Sequence, residues 1–277
     1  MNRYLKLVNF EFNRFFKLYL VLIGITIFTQ IVGVIYESGK YLKVANELIY
    51  KELMPKSQFI EQRGTISLLQ MIETPWFMGP IALCVAVLLI YVFFIWYRDW
   101  LGKNTFSYRL LMLPTARVNV YLSKATTILL FVFGLIALQL LLLPLETQVI
   151  KWMVPNDFRT DFSLQQITAN GYFLKILMPT SFIDFLIFYG IGIIGVFIVF
   201  TGIMFERSFR IKGIIYGIIY GGLSVVFFLS PILVDSFILK NYFFAMELFF
   251  MEVFTGVLVL AGAIWIGNYL IKNKIMV

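Results

Sequence analysis

Six apolar runs, each about as long as a helix that crosses a bilayer, constrain this chain more than any other feature. A spanning helix needs about 20 mostly apolar residues. Runs of that kind fall at 18–36, 76–97, 120–143, 182–205, 213–234 and 253–271, and together they take a little under half of the 277 residues. Apolar residues make up 61% of the chain and charged residues only 14%, against about 45–50% and about 25% in soluble domains. One buried core does not absorb that excess, because a chain of this size already hides about three quarters of its surface. The predicted class is an all-α membrane protein with six transmembrane helices. The stretch 236–252, rich in Phe but carrying Lys240, Glu247 and Glu252, reads either as an interfacial or re-entrant helix or as the outer end of the sixth span.

The placement of Lys and Arg sets the expected orientation, since short cytoplasmic loops collect them. Arg3, Lys6, Arg14 and Lys17 precede the first span, and Arg98, Lys103, Arg109, Arg117 and Lys124 run from the end of the second span into the beginning of the third. Arg207, Arg210 and Lys212 lie between the fourth and fifth spans, and Lys272 and Lys274 follow the sixth. Against these fourteen cations stand only Glu11, Asp99 and Glu206, so one side carries +11 and the remainder −3 of the net +8. Both termini are therefore expected in the cytoplasm, in a multi-pass cell-membrane protein. The positive charge reports topology and not nucleic-acid binding. The first apolar run is expected to act as its own insertion signal, because no small-residue cleavage site closes it.

Several kinds of chemistry are excluded. The chain has no histidine and a single cysteine, Cys84. Histidine-dependent triads, histidine general bases and zinc sites need residues that are missing. An Asp pair such as Asp184 and Asp235 has no supporting motif. No phosphate-binding G-x-x-x-x-G-K-[ST] occurs, and Gly102-Lys103-Asn104 lacks both the upstream glycine and the hydroxyl. The chain is expected to be no enzyme, with no catalytic residue, no metal and no cofactor of its own.

Other features suit transport. Leu5, Val8, Phe12, Phe15 and Tyr19 recur at helical spacing, with Arg3, Lys6, Asn13 and Lys17 largely opposite. Residues 1–17 therefore read as an amphipathic interfacial helix, either a plain topology anchor or one that also meets a cytoplasmic subunit. The outer segments 37–75 and 144–180 are moderately long, and neither is large enough to stand as a separate domain. The first helix is expected to extend outward until Pro55 interrupts it. Gly213, Gly217 and Gly221 form a flat strip flanked by Tyr216 and Tyr220. That strip suits a helix lining a pathway or moving against a neighbour, and equally a static close contact. Asp184, Asp235, Glu247 and Glu252 lie near the outer ends. Asp235, Glu247 and Glu252 are outer-gate candidates, unless they simply sit among wet headgroups. Gln30 and Gln139, well inside their spans, read as interhelix hydrogen-bond partners.

The loop at 98–119 is the most informative. Asn104 or Thr105 is placed to cap a short helix that Pro114 ends, with Phe106, Leu110 and Leu113 on one face. The phrase Leu110-Leu111-Met112-Leu113-Pro114-Thr115-Ala116-Arg117, followed by Ser123-Lys124, resembles the segment after the second span of bacterial ATP-binding-cassette type-2 exporter permeases. The six spans, the basic N-terminal helix and the Tyr-Leu-Ile-Lys-Asn-Lys-Ile finish agree with that family, although the sequence match covers about twenty residues. The resemblance implies a short cytoplasmic coupling helix that docks on a separate ATPase subunit, with Phe106, Tyr108, Arg109, Leu110, Leu113 and Arg117 as docking residues. It implies ATP and Mg²⁺ on that partner and a second permease chain (identical or related). The spans, which offer Phe, Ile, Leu and Tyr rather than repeated charges, suit an apolar or amphipathic cargo such as an antimicrobial peptide, a drug or a lipid-linked molecule. The same loop also suits a purely topogenic positive segment. An ion- or proton-coupled secondary transporter or a channel subunit is the alternative class, although the middles of the spans are nearly free of charge.

Overall fold

In the computed structural model the described residues are 3–100, 110, 112, 115–240 and 242–275. Among them all regular structure is helical, and six helices are long and apolar enough to cross a membrane. In chain order the helices are α1 (Arg3–Asn46), α2 (Lys56–Arg63), α3 (Leu68–Ile72), α4 (Pro75–Trp100) and α5 (Arg117–Met153). They continue as α6 (Leu164–Asn170), α7 (Tyr172–Leu177), α8 (Phe182–Phe209), α9 (Ile211–Phe228), α10 (Ser230–Phe237) and α11 (Ala245–Asn273).

Each expected span lies within one of these helices, with one exception, and several boundaries differ for local reasons. Residues 3–17 are the first four turns of α1 and not a separate helix. No Gly or Pro separates them from the apolar run, so nothing stops the hydrogen-bond ladder there. The first helix does continue well past its apolar run, through a π-helical turn at Glu47–Lys51, and ends before Pro55. Pro144 lies inside α5, which runs on to Met153. A proline in an apolar helix removes one backbone bond without ending the helix when its neighbours support the turn. The second outer segment therefore begins with helix.

The fifth span is the exception, because α9 stops at Phe228 and the expected end at 234 falls in α10. Pro231 cannot donate to the carbonyl four residues back. The freed end of α9 is closed by side chains instead: Ser230 Oγ donates to Phe227 O at 2.7 Å and Thr255 Oγ1 to Phe228 O at 3.2 Å. Residues 245–252 are the beginning of α11, so the second reading of that stretch holds for them.

The described residues divide into two compact units. One combines 15–87 with 131–185. Here the two outer segments share a core that neither fills alone. Phe59, Ile66, Phe158, Ile167 and Leu174 are buried in one apolar cluster. Backbone pairing fixes the register: Ile66 N donates to Phe158 O and Thr160 N to Ile66 O, both at 3.0 Å. Tyr41 reaches from α1 to donate to Gly64 O at 2.8 Å. Ser163 and Gln166 close a reciprocal cap at the start of α6. Deeper in this unit, Gln30 Nε2 donates to Gln139 Oε1 at 3.1 Å, so the two span glutamines do join α1 and α5.

The other unit combines 1–14, 88–130 and 186–277. Its centre is Tyr121 on α5, fully buried, whose hydroxyl meets Thr201 Oγ1 at 3.0 Å and Phe197 O at 3.2 Å. Thr201 in turn donates to Ala263 O at 3.0 Å, which ties α8 to α11. Trp96 of α4 sets its ring edge-on to Phe200 at 5.5 Å.

Candidate functional site

Five charged side chains from three helices converge in the second unit. Lys124, seven residues into α5, is completely buried. Its ammonium donates to Glu11 Oε1 at 2.6 Å, to Asp99 Oδ2 at 2.5 Å and to the backbone carbonyl of Ile95 at 3.0 Å. Three donors meet three acceptors, so the ion is fully satisfied. The Trp96 ring lies 5.0 Å from the same nitrogen. Arg98 donates to Glu11 Oε2 at 2.8 Å and Arg14 to Asp99 Oδ1 at 2.6 Å. Every carboxylate oxygen of Glu11 and Asp99 therefore has a cationic donor. Buried ions persist only when paired and hydrogen-bonded in this way.

The local sequence explains the convergence. Glu11 and Arg14 are three apart on α1 and so share a face. Ile95, Arg98 and Asp99 occupy the last turns of α4, where Ile95 and Asp99 are four apart. The cluster joins the end of α4 and the beginning of α5, which are the two sides of the loop at 101–116, and locks both onto α1. A second latch uses the end of α8: Tyr97 donates its hydroxyl to Glu206, and the Arg207 guanidinium lies 4.8 Å from the Tyr97 ring and 5.4 Å from that of Trp100.

The expected docking residues divide accordingly. Phe106, Tyr108, Arg109 and Leu113 lie outside the described residues. Leu110 is buried against Leu7 and Val120, so its side chain belongs to the protein's own packing. Arg117 donates to Ile271 O at 2.9 Å and caps the carbonyls at the end of α11. Met112 is 69% exposed in the same segment.

The glycine strip meets α8 in a close hairpin, with Arg210 alone between the two helices. A Cβ on Gly213 would overlap the Phe205 carbonyl, and one on Gly217 would lie 3.0 Å from Gly202 O. At Gly221 the nearest atom would be 3.8 Å away, so only two of the three glycines are sterically required. Tyr220 packs on Phe205 at 5.5 Å and Tyr216 sets its edge to Phe209 at 5.6 Å.

The outer-gate candidates are not equivalent. Asp235 is buried and accepts from Phe243 N at 3.0 Å, and Glu247 accepts from Phe244 N at 3.0 Å at the start of α11. Both serve the turn between α10 and α11. Both Glu252 carboxylate oxygens are inaccessible and have no hydrogen-bond partner among the described residues.

Sequence reasoning did not single out Glu11, Asp99 and Lys124 as a group. Two signals were present: two of the three acids on the basic side, and the lysine that ends the Ser-Lys motif. Among the described residues no cluster of His, Cys, Asp and Glu is arranged to hold a metal. Comparison with known protein families, with curated proteins and with solved structures finds no match.

Proposed function

We propose that the chain is the membrane-spanning permease subunit of an ATP-driven exporter, with both termini in the cytoplasm. ATP is hydrolysed on a separate cytoplasmic subunit bound at the 101–116 loop. The observation that carries this reading is the Glu11–Asp99–Lys124 cluster, which grips both sides of that loop. A push on a loop anchored in this manner moves the ends of α1, α4 and α5 that carry the cluster together and does not dissipate in flexible ends. In the mechanism, ATP-driven closure of the partner favours one permease conformation through differential affinity. Leu110 and Arg117 hold the loop to the permease. Phe106, Tyr108, Arg109 and Leu113, with the exposed Met112, meet the partner. The permease works as a pair of identical or related chains in the lipid bilayer, and the apolar lining of its helices suits an apolar or amphipathic cargo.

The test is co-purification from the native host. Tagged chain is expected to bring down a P-loop ATPase, and Arg109→Glu with Met112→Glu to lose it while thermal unfolding stays unchanged. Absence of any ATPase with the parent protein overturns the reading, as does a variant that retains both the partner and transport.

A second reading, a proton-coupled carrier, is favoured by one residue. Glu146 on α5 is fully buried, and neither carboxylate oxygen has a partner among the described residues. Isolated buried carboxylates are costly and mark proton pathways in carriers. Uptake into ATP-free vesicles driven by an imposed pH gradient, and abolished by Glu146→Gln, would select this reading over the first.

A further inference from the structure

Between α8, the end of α9 and the outer half of α11 lies a cleft of about 220 Å³. Leu186, Ile187, Ile191, Phe228 and Val257 contribute to a wall that is otherwise almost wholly hydrocarbon. Among the described residues Glu252 is the only charged one in that wall. Ile191 and Val257 remain more than half exposed, so the cleft opens sideways on the apolar face of the helices. The volume falls below the roughly 300–1,000 Å³ of pockets that take drug-sized molecules. It suits a single alkyl chain.

The carboxylate decides what that chain carries. Glu252 sits seven residues inside α11, about 10 Å from its start at 1.5 Å per residue. Both of its oxygens are withdrawn from the surface and meet no donor among the described residues, whereas Asp235 and Glu247 each hold a backbone N–H. Among the described residues no Lys or Arg lines the cleft. An unpaired carboxylate among hydrocarbon is costly, and a cation brought beside it relieves that cost more effectively there than in water. An anionic headgroup would be repelled, and a neutral one would leave the charge uncompensated.

We infer that this cleft binds a single-chain cationic amphiphile, with its alkyl tail along α8 and its ammonium group against the Glu252 carboxylate. The inference rests on the permease reading and names the chemical class of its cargo. The competing occupant, a neutral acyl chain of the surrounding lipid, would fill the same groove without regard to Glu252.

Equilibrium binding of tetradecyltrimethylammonium and of tetradecanol to the purified full chain, in maltoside micelles, separates the two. The quaternary ammonium keeps its charge at every pH, so protonation of the probe plays no part. The parent protein is expected to hold the ammonium about tenfold more tightly than the alcohol, the size of one partly screened charge–charge contact without a hydrogen bond. Glu252→Gln is expected to bring the ratio near one while leaving tetradecanol binding unchanged. A Cβ at Gly190 would meet nothing within 4 Å, so Gly190→Phe has room to fill the cleft, and it is expected to weaken both probes. Equal affinities in the parent protein, or an ammonium preference that survives Glu252→Gln, overturn the inference. Because ATPase co-purification is read separately, a failure here leaves the permease assignment standing, and a failure there removes the cargo role while the binding result stands by itself.

Discussion

Replacing Lys124 by methionine removes the ammonium and keeps most of the stem. In the parent protein that ammonium neutralises one oxygen each of Glu11 and Asp99 at 2.6 and 2.5 Å, at a position with no solvent exposure. Deleting one member of a buried ion pair costs about 3–5 kcal/mol, because the partner charge is left uncompensated. Arg98 and Arg14 still hold the other two oxygens, at 2.8 and 2.6 Å, so the lower end, about 3 kcal/mol, is the expected loss. At about 2–4 °C per kcal/mol this lowers the melting temperature by about 6–12 °C. Thermal unfolding of the purified protein in micelles, followed by loss of helical circular dichroism, measures it. Adding Asp99→Asn removes one of the stranded charges, so the double variant should be more stable than the sum of the singles implies, by about 1 kcal/mol or more. Salt should change neither result, because the charges are sealed from screening ions. A methionine variant that melts with the parent, or a strictly additive double variant, refutes the claim that these ions form one buried unit.

Three further outcomes follow from the packing. Gln30→Leu should cost about 0.6 kcal/mol and at most about 1.7, the range for hydrogen bonds between membrane helices, by stranding the Gln139 amide; Gln30→Leu with Gln139→Leu should recover most of it in the same melting assay. Gly217→Val should destabilise by about 1–3 kcal/mol through overpacking against Gly202, while Gly222→Ala, with nothing within 4 Å of its Cβ, should stay within about 0.5 kcal/mol of the parent. Phe59→Ala, at a position with no solvent exposure, should cost about 3–5 kcal/mol and speed proteolytic cleavage in 47–67 and 154–163, as seen by mass spectrometry of timed digests.

The six long helices were legible because hydrophobic periodicity and length are local properties, and they survive in every environment these residues meet. That Gln30 and Gln139 link helices was also legible, since an amide deep in an apolar run needs a partner from a neighbouring helix; that they bond to each other was not. Helix ends were less so. Pro144 and Pro231 carry the same backbone signal, yet one sits inside a continuing helix and the other begins a new one. The α9 break is closed by Ser230 and by Thr255, and the latter is 24 positions beyond Pro231, outside any local window. The two outer segments looked too short to fold because each is half of a core. Phe59 and Phe158, with ring centroids 6.0 Å apart, belong to one cluster although nearly a hundred residues separate them.

The candidate site divides in the same way. The amino-acid sequence by itself determined a helical chain with six apolar spans, the charge asymmetry across them, and the absence of histidine chemistry and of a nucleotide-binding loop. It also marked the segment that ends in Lys124. Only the tertiary structure decided that Lys124, Glu11 and Asp99 are one buried unit, that Leu110 and Arg117 face inward, and that Glu252, unlike Asp235 and Glu247, meets no donor among the described residues. Periodicity states which way a side chain points from its own helix. Whether a charge is buried, and beside which counter-charge, depends on the helices packed against it, and those arrive from distant parts of the chain.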